Sequence, residues 1–348
     1  MVMMLARLRP RGDRLLPRFL AARNMSTYRD AWPLVLSPRQ LRDIQVERPE
    51  SLAILDASWH MPNSPRKARQ EFIQEHIPGA RYLDLDQVAS PHELGLMHMM
   101  PSGRVFADAC DSLGITPSSH VVIYDTHGVF SSPRALFMFR SFGHDRSSIL
   151  DGGLPAWIAH GCPVEPGEPS EVKKPSGSTY PPPFLDETVI RSYEQIVQNS
   201  TADLDNEPDA EAVLDARSRG RFLGNDPEPR PNLPSGHIPR SYSVPFTSFL
   251  QENSIKPTDP DSGAPPTKYT SLRSNAGIHE ALQDALGEKH AREVLSGKRA
   301  VTTSCGSGMT AGVVWLGLKL LGVETIGFYD ESWTGYALRK ESEIAKGE

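Results

Sequence analysis

The residues of this chain with the clearest chemical potential stand in a glycine-rich run, SCGSGMT, at positions 304–310. A strand-like run precedes Cys305, and an apolar, helix-like run follows Thr310. Glycines at 306 and 308 let the backbone curl so that successive N–H groups point at one spot, and the positive end of the following helix adds to the effect. We predict that this spot is the Cys305 sulfur, and that the loop favours its nucleophilic thiolate form.

The other two cysteines carry no such pattern. Cys110 lies in FADACDSLG at helical core spacing, and Cys162 stands beside Pro163, so both are predicted to be small buried side chains. Three widely spaced cysteines form neither a disulfide framework nor a CxxC or Cys/His zinc motif. A reducing compartment fits this usage, and we expect no metal or other cofactor.

The chain repeats itself. Four sequence matches occur in the same order in its two halves: LAILDASWH (52–60) with AVLDARSRG (212–220), HIPGA (76–80) with HIPRS (237–241), HVVIYDTHG (120–128) with RAVTTSCGSG (299–308), and ILDGGLPAW (149–157) with GFYDESW (327–333). Asp125 in the first half stands where Cys305 stands in the second. Because a carboxylate cannot replace the thiolate as a nucleophile toward sulfur, we predict one active site per chain.

The elements around these matches indicate the fold class. Short β-branched runs such as HVVIYD alternate with helical patterns such as SPRALFMFRSFG, which predicts an α/β fold in which each half is a mainly parallel sheet with helices on both faces. Ligands of such sheets bind outside the carboxyl ends of the strands, where Cys305 falls. An insertion in the second half contains KPTDPDSGAPPTKYT (256–270), which we predict to be a surface loop.

The terminal segment and the linker have their own compositions. Residues 1–24 hold six arginines and one aspartate among Leu, Met and Ala, which predicts a mitochondrial presequence, and Met25 offers a start for a shorter cytoplasmic form. Residues 163–184, rich in proline, glycine and serine, are predicted to be a linker. No apolar run is long enough to span a membrane, and a net charge of -6 gives no general attraction to nucleic acid, so we expect neither partner.

The tandem halves, the HIPGA turn and the Cys-Gly-Ser-Gly-Met-Thr loop resemble the rhodanese superfamily from about residue 33 to 339, with further matches in RQEFIQEHIPGA (69–80) and GRFLGNDPEPR (220–230). The Gly-Ser-Gly loop is similar to that of its mercaptopyruvate-using branch, although Met309 stands where valine is usual. Thiosulfate users of the family carry basic residues after the cysteine. The resemblance implies an inactive rhodanese-like domain at 33–162 and a catalytic rhodanese-like domain at 186–340, which leaves the presequence at 1–24 and a linker at 163–185.

The resemblance also implies a mechanism. The Cys305 thiolate would take sulfur from 3-mercaptopyruvate as a persulfide, release pyruvate, and pass the sulfur to an acceptor thiol such as thioredoxin or glutathione. Arg221 and Arg230 match the substrate-binding arginines of the family, whose forked bonds would clamp the carboxylate and keto oxygen. Ser307 matches the residue placed to relay a proton, and the remaining loop positions would also meet the substrate, namely Gly306, Gly308, Met309 and Thr310.

His76 has two interpretations. It resembles the family's proposed partner of the loop serine, which would make it catalytic. However, His237 occupies the same turn of the second half, so a turn-stabilising role explains both histidines, and the stretch SPRKARQEFIQE upstream of His76 lacks the family's aspartate. Arg217 is predicted to brace the second half internally, and Trp333 to line the cleft or to lie in the core.

The loop differs from that of the cysteine phosphatases, which are another class of function in this superfamily. Cysteine phosphatases of the same superfamily need an arginine at the sixth position after the cysteine, and this chain has Ala311 there. Two alternatives remain, namely a thiosulfate sulfurtransferase and a persulfide relay protein with a protein partner, for example one that feeds tRNA thiolation. Steady release of pyruvate from 3-mercaptopyruvate would distinguish the enzyme from the relay.

Overall fold

The computed structural model describes residues 32–169, 179–255 and 266–347 of the chain. In the first half, the sheet is built of five strands: β1 (Val35–Leu36), β2 (Leu52–Asp56), β3 (Arg81–Tyr82), β4 (His120–Tyr124) and β5 (Ser147–Leu150). All neighbours are parallel, in the order β1-β5-β4-β2-β3. The central strand β4 is buried along its whole length, as its unbroken apolar run requires.

The second half repeats this sheet and adds a hairpin. Its strands are β6 (Ile190–Arg191), β7 (Ala212–Asp215), β8 (Tyr242–Ser243), β9 (Leu250–Ile255), β10 (Thr267–Leu272), β11 (Val301–Ser304) and β12 (Ile326–Tyr329). Five of them form a parallel sheet in the equivalent order, β6-β12-β11-β7-β8, while β9 and β10 pair antiparallel. The predicted fold class, with two tandem parallel sheets, is confirmed.

Ten helices accompany the strands in the described residues. They are α1 (Pro38–Glu47), α2 (Ala68–Gln74), α3 (Gly103–Ser112), α4 (Ser132–Ser141), α5 (Gly153–Ala159), α6 (Tyr193–Ser200), α7 (Arg219–Leu223), α8 (Asn275–Leu295), α9 (Ala311–Leu320) and α10 (Ser332–Leu338). The duplication extends to their caps, because α1 and α6 both begin with a Ser-x-x-Gln capping box. No helix in the described part of the chain is long and apolar enough to cross a membrane.

One apolar core runs through both halves. The ring of Phe137 on α4 stacks on Phe328 of β12 with centroids 4.1 Å apart and meets Trp315 of α9 edge to face at 5.4 Å. Helices α4 and α9 approach closely at Gly312, where a Cβ atom would lie 2.7 Å from the Arg134 amide nitrogen. The halves are thus packed as one body, in which the two loops that precede α4 and α9 lie near the shared interface.

The insertion differs from the sequence prediction. Residues 267–270, predicted to be loop, belong to strand β10, whose mostly polar residues pair along the whole of β9. Residues 256–265 lie outside the described residues and contain three prolines and one glycine. This turn-like composition obscured the TKYTSL strand that follows.

Two further predictions fall partly or wholly outside the described residues. The proposed presequence at 1–24 lies outside them, as do residues 170–178 of the linker. The described ends of the linker are packed: Glu165 pairs with His76 in an isolated bridge, and Tyr180 is buried against Phe106.

Candidate active site

Cys305 directly follows β11 and begins the loop that leads to α9. Residues at the start of α10 hold this loop. The Cys305 amide donates to Ser332 Oγ at 3.1 Å, and the Cys305 carbonyl accepts from the Trp333 amide at 2.9 Å. The Gly306 carbonyl accepts from both the amide and the hydroxyl of Thr334, at 2.9 and 2.5 Å. Cys305 itself is only 2 % exposed, so its side chain is buried.

Ser332 is a supporting residue that the sequence analysis missed. Its φ of 52° is left-handed, which is uncommon for a residue with a side chain, and its hydroxyl donates to the Tyr329 carbonyl at 2.9 Å while accepting from Cys305. The first half places Gly153 at the matching position with φ 54°. The repeat itself was the available signal, because a serine that replaces a left-handed glycine needs a compensating contact.

The loop glycines are required by close neighbours. Gly308 has a φ of 81°, and a Cβ atom there would lie 2.8 Å from the Asp330 carbonyl oxygen. A Cβ on Gly306 would lie 3.1 Å from Arg221 Nη2 and 3.8 Å from Arg230 Nη1. The predicted arginines and the cysteine loop therefore meet at Gly306.

The two other loop residues point elsewhere. Met309 is 2 % exposed and belongs to the apolar core, so its side chain anchors the loop. Thr310 is the residue immediately before α9, and its hydroxyl makes no cap bond to the helix. Any contact of Met309 with a substrate would have to come from its backbone.

Arg221 lies on α7 and donates two hydrogen bonds to a buried carboxylate. Its Nε donates to Glu228 Oε1 at 3.1 Å, and its Nη2 to Glu228 Oε2 at 2.5 Å. The Arg221 side chain keeps 19 % of its surface exposed, whereas that of Glu228 has 1 %. The forked pair fixes the guanidinium plane while leaving part of it to face Gly306.

Arg230 is half-buried between the two halves. Burial lowers the pKa of its guanidinium and the nearby charge of Arg221 adds to this, while Cys305, Glu228 and Asp86 act in the opposite direction. Asp86, from the first half, is itself held by the Trp59 indole N–H at 3.0 Å and by His98 at 2.8 Å. Sequence reasoning missed Asp86, because nothing in the chain order places residue 86 beside residue 230.

Arg217 braces the second half, as predicted. It is 1 % exposed, donates through Nε and Nη2 to Asp215 at 2.6 to 3.0 Å, and reaches Glu228 Oε1 at 2.8 Å. Its guanidinium lies 4.3 Å from the ring centroid of Trp333. Trp333 is fully buried and donates its indole N–H to the Pro234 carbonyl, so it belongs to the core and not to the cleft wall.

A cavity of about 190 Å³ opens beside Ser307 and Arg230. Much of its wall is apolar and comes from both halves of the chain, with contributions from Leu94, Leu96, Met97, Met99, Leu233 and Leu338. Ser307 is 8 % exposed and faces this space together with Thr334 and Glu331. The cavity therefore lies between the halves beside Ser307 and Arg230, and its lining does not include Cys305 or Arg221.

The first half also places a cation beside the loop. Arg134, on α4, forms an ion pair with Asp330 at 2.6 Å and donates to the His98 carbonyl at 2.7 Å. Both side chains are nearly buried, at 3 % and 10 % exposed. Arg134 Nη1 would lie 3.4 Å from a Cβ on Gly308, so this arginine links the first half to the Cys305 loop.

His76 occupies a different environment. It is 1 % exposed, its Nδ1 bonds to the Phe72 carbonyl at 2.8 Å in the first half, and its Nε2 lies 3.4 Å from Oε1 of Glu165 in the linker. His237 repeats this geometry, with its Nδ1 2.8 Å from the Phe222 carbonyl and its ring stacked on Phe222 at 3.8 Å. The shared geometry favours the turn-stabilising interpretation, and a catalytic role for His76 stays a prediction.

The first-half counterpart of the loop shows what such a loop can bind. The buried carboxylate of Asp125 accepts the amide of His127 at 3.0 Å, and it accepts the amides of Phe130, Ser131 and Ser132 at 2.9 to 3.1 Å. The Ser132 hydroxyl also donates to it at 2.7 Å. The loop following β4 is thus a cradle of backbone donors around an anion.

Strand β10 covers this first loop. The Thr270 amide donates to the His127 carbonyl at 3.1 Å, and the Leu272 amide donates to Asp151 Oδ1 at 2.9 Å. A Cβ on Gly128 would lie 2.0 Å from the Thr270 carbonyl oxygen. The hairpin of the second half therefore seals the Asp125 loop, and Asp151 of the DGGLPAW motif has a structural role.

Comparisons with known proteins agree with the fold. Residues 37–160 match the rhodanese-like domain model. The 3-mercaptopyruvate sulfurtransferase of Rattus norvegicus is 38% identical over 84% of this chain and 88% of its own length. The mitochondrial thiosulfate/3-mercaptopyruvate sulfurtransferase 1 of Arabidopsis thaliana is 33% identical over 85% of this chain and 74% of its own length.

A solved structure agrees as well. The crystal structure of SseA from Escherichia coli, which has the rhodanese fold, superposes with a TM-score of 0.66 at 26% identity, covering 86% of this chain and 98% of that one. Tandem parallel sheets with a cysteine loop at one sheet edge define an enzyme of the sulfur-transferring class. The chain belongs to the rhodanese family and is a sulfurtransferase.

Proposed function

We propose that the chain is a 3-mercaptopyruvate sulfurtransferase that works through a persulfide on Cys305. The observation that carries this proposal is the meeting of Arg221 and Arg230 at Gly306 of a loop without cationic side chains. Two guanidinium groups beside a cysteine suit a substrate with a carboxylate, a keto oxygen and a nearby sulfur.

In the first half-reaction, the Cys305 thiolate attacks the substrate sulfur. The new S–S bond forms as the C–S bond breaks, and the electron pair of the C–S bond passes to carbon as the pyruvate enolate. The proton of the substrate thiol ends on that carbon, so the products are pyruvate and an anionic persulfide. Ser307, beside the same cavity as Arg230, is the residue proposed to relay the proton.

The loop that follows β11 stabilises the persulfide in this proposal. Its first-half counterpart directs four amides and a hydroxyl at the Asp125 carboxylate. Amides of the Cys305 loop would act in the same way on an anionic outer sulfur.

In the second half-reaction, an acceptor thiolate attacks the outer sulfur and becomes the persulfide, and the Cys305 thiolate is restored. Thioredoxin and glutathione are the proposed acceptors, and a relay partner protein is the further candidate. The first half, residues 33–162, is proposed to be a scaffold that supplies the cleft wall and Arg134, while residues 186–340 hold the nucleophile. Mitochondrial import through residues 1–24 is supported by their arginines.

The test measures kcat/KM for 3-mercaptopyruvate and for thiosulfate in the wild type, Cys305→Ser and Arg221→Ala. We expect Cys305→Ser to abolish pyruvate release and the mass increase of one sulfur atom, while Arg221→Ala lowers kcat/KM by roughly 10²-fold. Cys162→Ser is the matched control and should retain activity. Preference for thiosulfate in the wild type would refute the proposed substrate, and sulfur transfer by Cys305→Ser would refute the mechanism.

A further inference from the structure

Glu228 links Arg217, which braces the second half, to Arg221, which meets the Cys305 loop at Gly306. Its Oε1 accepts from the bracing Arg217 at 2.8 Å and from Arg221 at 3.1 Å, while its Oε2 is bonded to Arg221. The side chain is 1 % exposed, so water does not screen this carboxylate. This one carboxylate therefore links Arg217 to Arg221.

The pairs form a continuous ladder from the end of β7 to the catalytic loop, in the order Asp215, Arg217, Glu228 and Arg221. In this ladder each guanidinium is matched by a carboxylate. Arg230, next to the ladder, is influenced by the charges of Cys305 and Glu228 and, most weakly, by Asp86 of the first half. Within the ladder, the charges of Arg217 and Arg221 are matched by those of Asp215 and Glu228.

We propose that Glu228 is a positioning and specificity-determining residue, which aims Arg221 and cancels its charge so that the site selects monoanionic over dianionic sulfur donors. The inference rests on the proposed function. The forked pair holds the guanidinium plane in place, so any substrate that uses Arg221 depends on it. The charge of Glu228 acts differently on the two donors, because each additional negative charge on the donor is repelled by the same buried carboxylate.

The experiment compares the ratio of kcat/KM for thiosulfate to that for 3-mercaptopyruvate in wild type and Glu228→Gln. Glutamine keeps the shape and removes the charge. We expect both activities to fall, because the forked pair between Arg221 and residue 228 is weakened. The ratio should rise roughly tenfold, because removing the negative charge favours binding of the dianion more than binding of the monoanion. An unchanged or lower ratio would overturn the inference, whereas failure of the wild type to release pyruvate would overturn the proposed function instead.

The matched control is Glu211→Gln. Glu211 also binds an arginine in the second half, with Arg191 Nε at 2.9 Å, but it precedes β7 and so lies at the opposite end of that strand from the site. This variant should leave the ratio unchanged. Glu228→Asp keeps the charge and shortens the reach, so it should lower kcat/KM for both donors and also leave the ratio unchanged.

A second measurement works on the wild type alone, in case Glu228→Gln does not fold. Inorganic phosphate is mostly a monoanion at about pH 6 and mostly a dianion at about pH 8, while sulfate is a dianion at both. We expect the inhibition constant of phosphate, divided by that of sulfate, to rise several-fold between these pH values. A constant or falling quotient would show that the site does not select by charge.

Discussion

Asp56 and Asp215 occupy the same place in the two halves but have different partners. Each ends the strand next to the loop-bearing strand, yet Asp215 is paired with Arg217, whereas the matching position beside Asp56 is Ser58. Burial therefore raises the pKa of Asp56 from 3.8 to about 7, with a small contribution from the carboxylate of Asp125. The first half thus keeps a buried acid without the cation that neutralises it in the second.

This shift makes stability depend on pH with a definite sign. Because the folded-state pKa lies above the unfolded value, native Asp56 retains a proton that the unfolded chain has lost between pH 3.8 and about 7. Stability should fall as the pH rises through that window, and the full cost should be present above it. A shift of about three units corresponds to roughly 4 kcal/mol.

The perturbation is Asp56→Asn, which removes the titration and keeps the shape. The new amide has to find acceptors in the core, which costs about 1 to 2 kcal/mol at every pH. The gain in unfolding free energy relative to wild type should therefore be near zero at about pH 5 and reach about 2 to 3 kcal/mol at about pH 8. Calorimetry at both pH values should show a Tm increase of roughly 4 to 6 °C at the higher one.

Asp215→Asn is the matched control with the opposite sign. It leaves Arg217 buried beside a weaker partner, so it should destabilise the protein by about 3 kcal/mol or more. If the Asp56→Asn effect is the same at both pH values, or if the variant is less stable than wild type at pH 8, the reasoning from burial is wrong.

Three further predictions concern the interface, the loop and the turns. Arg134→Met removes the ion-pair partner of the buried Asp330, so it should lower the unfolding free energy by about 3 to 5 kcal/mol. A Tm within about 2 °C of wild type in calorimetry would contradict this expectation. Gly308→Ala forces a side chain into a left-handed position 2.8 Å from a carbonyl oxygen, so Cys305-dependent pyruvate release should fall at least tenfold while circular dichroism is retained. His76→Gln and His237→Gln should each cost about 1 to 2 kcal/mol in urea unfolding and change kcat less than threefold, whereas a much larger kcat loss in His76→Gln alone would establish the catalytic interpretation.

Local sequence patterns determined a large part of the fold. The apolar run of β4, the Ser-x-x-Gln caps of α1 and α6, and the repeated motifs depend on contacts between residues close in the chain, so the pattern alone predicts them. Strand β10 was missed for the converse reason. Its polar residues have no pattern of their own, and pairing with β9 and docking on the Asp125 loop are what define it.

The sequence by itself identified the cysteine loop and the duplication, because a glycine-rich turn between strand and helix carries its chemistry within seven residues. Arg221 and Arg230 were predicted from the resemblance to the rhodanese superfamily. Only the tertiary structure showed that Glu228 links Arg217 to Arg221, that the charge of Asp86 reaches Arg230, and that Ser332 supports Cys305. The charge balance of the site depends on how side chains distant in the chain pack at the interface between the halves. Packing of that kind is a property of the assembled fold, and no periodicity in the chain encodes it.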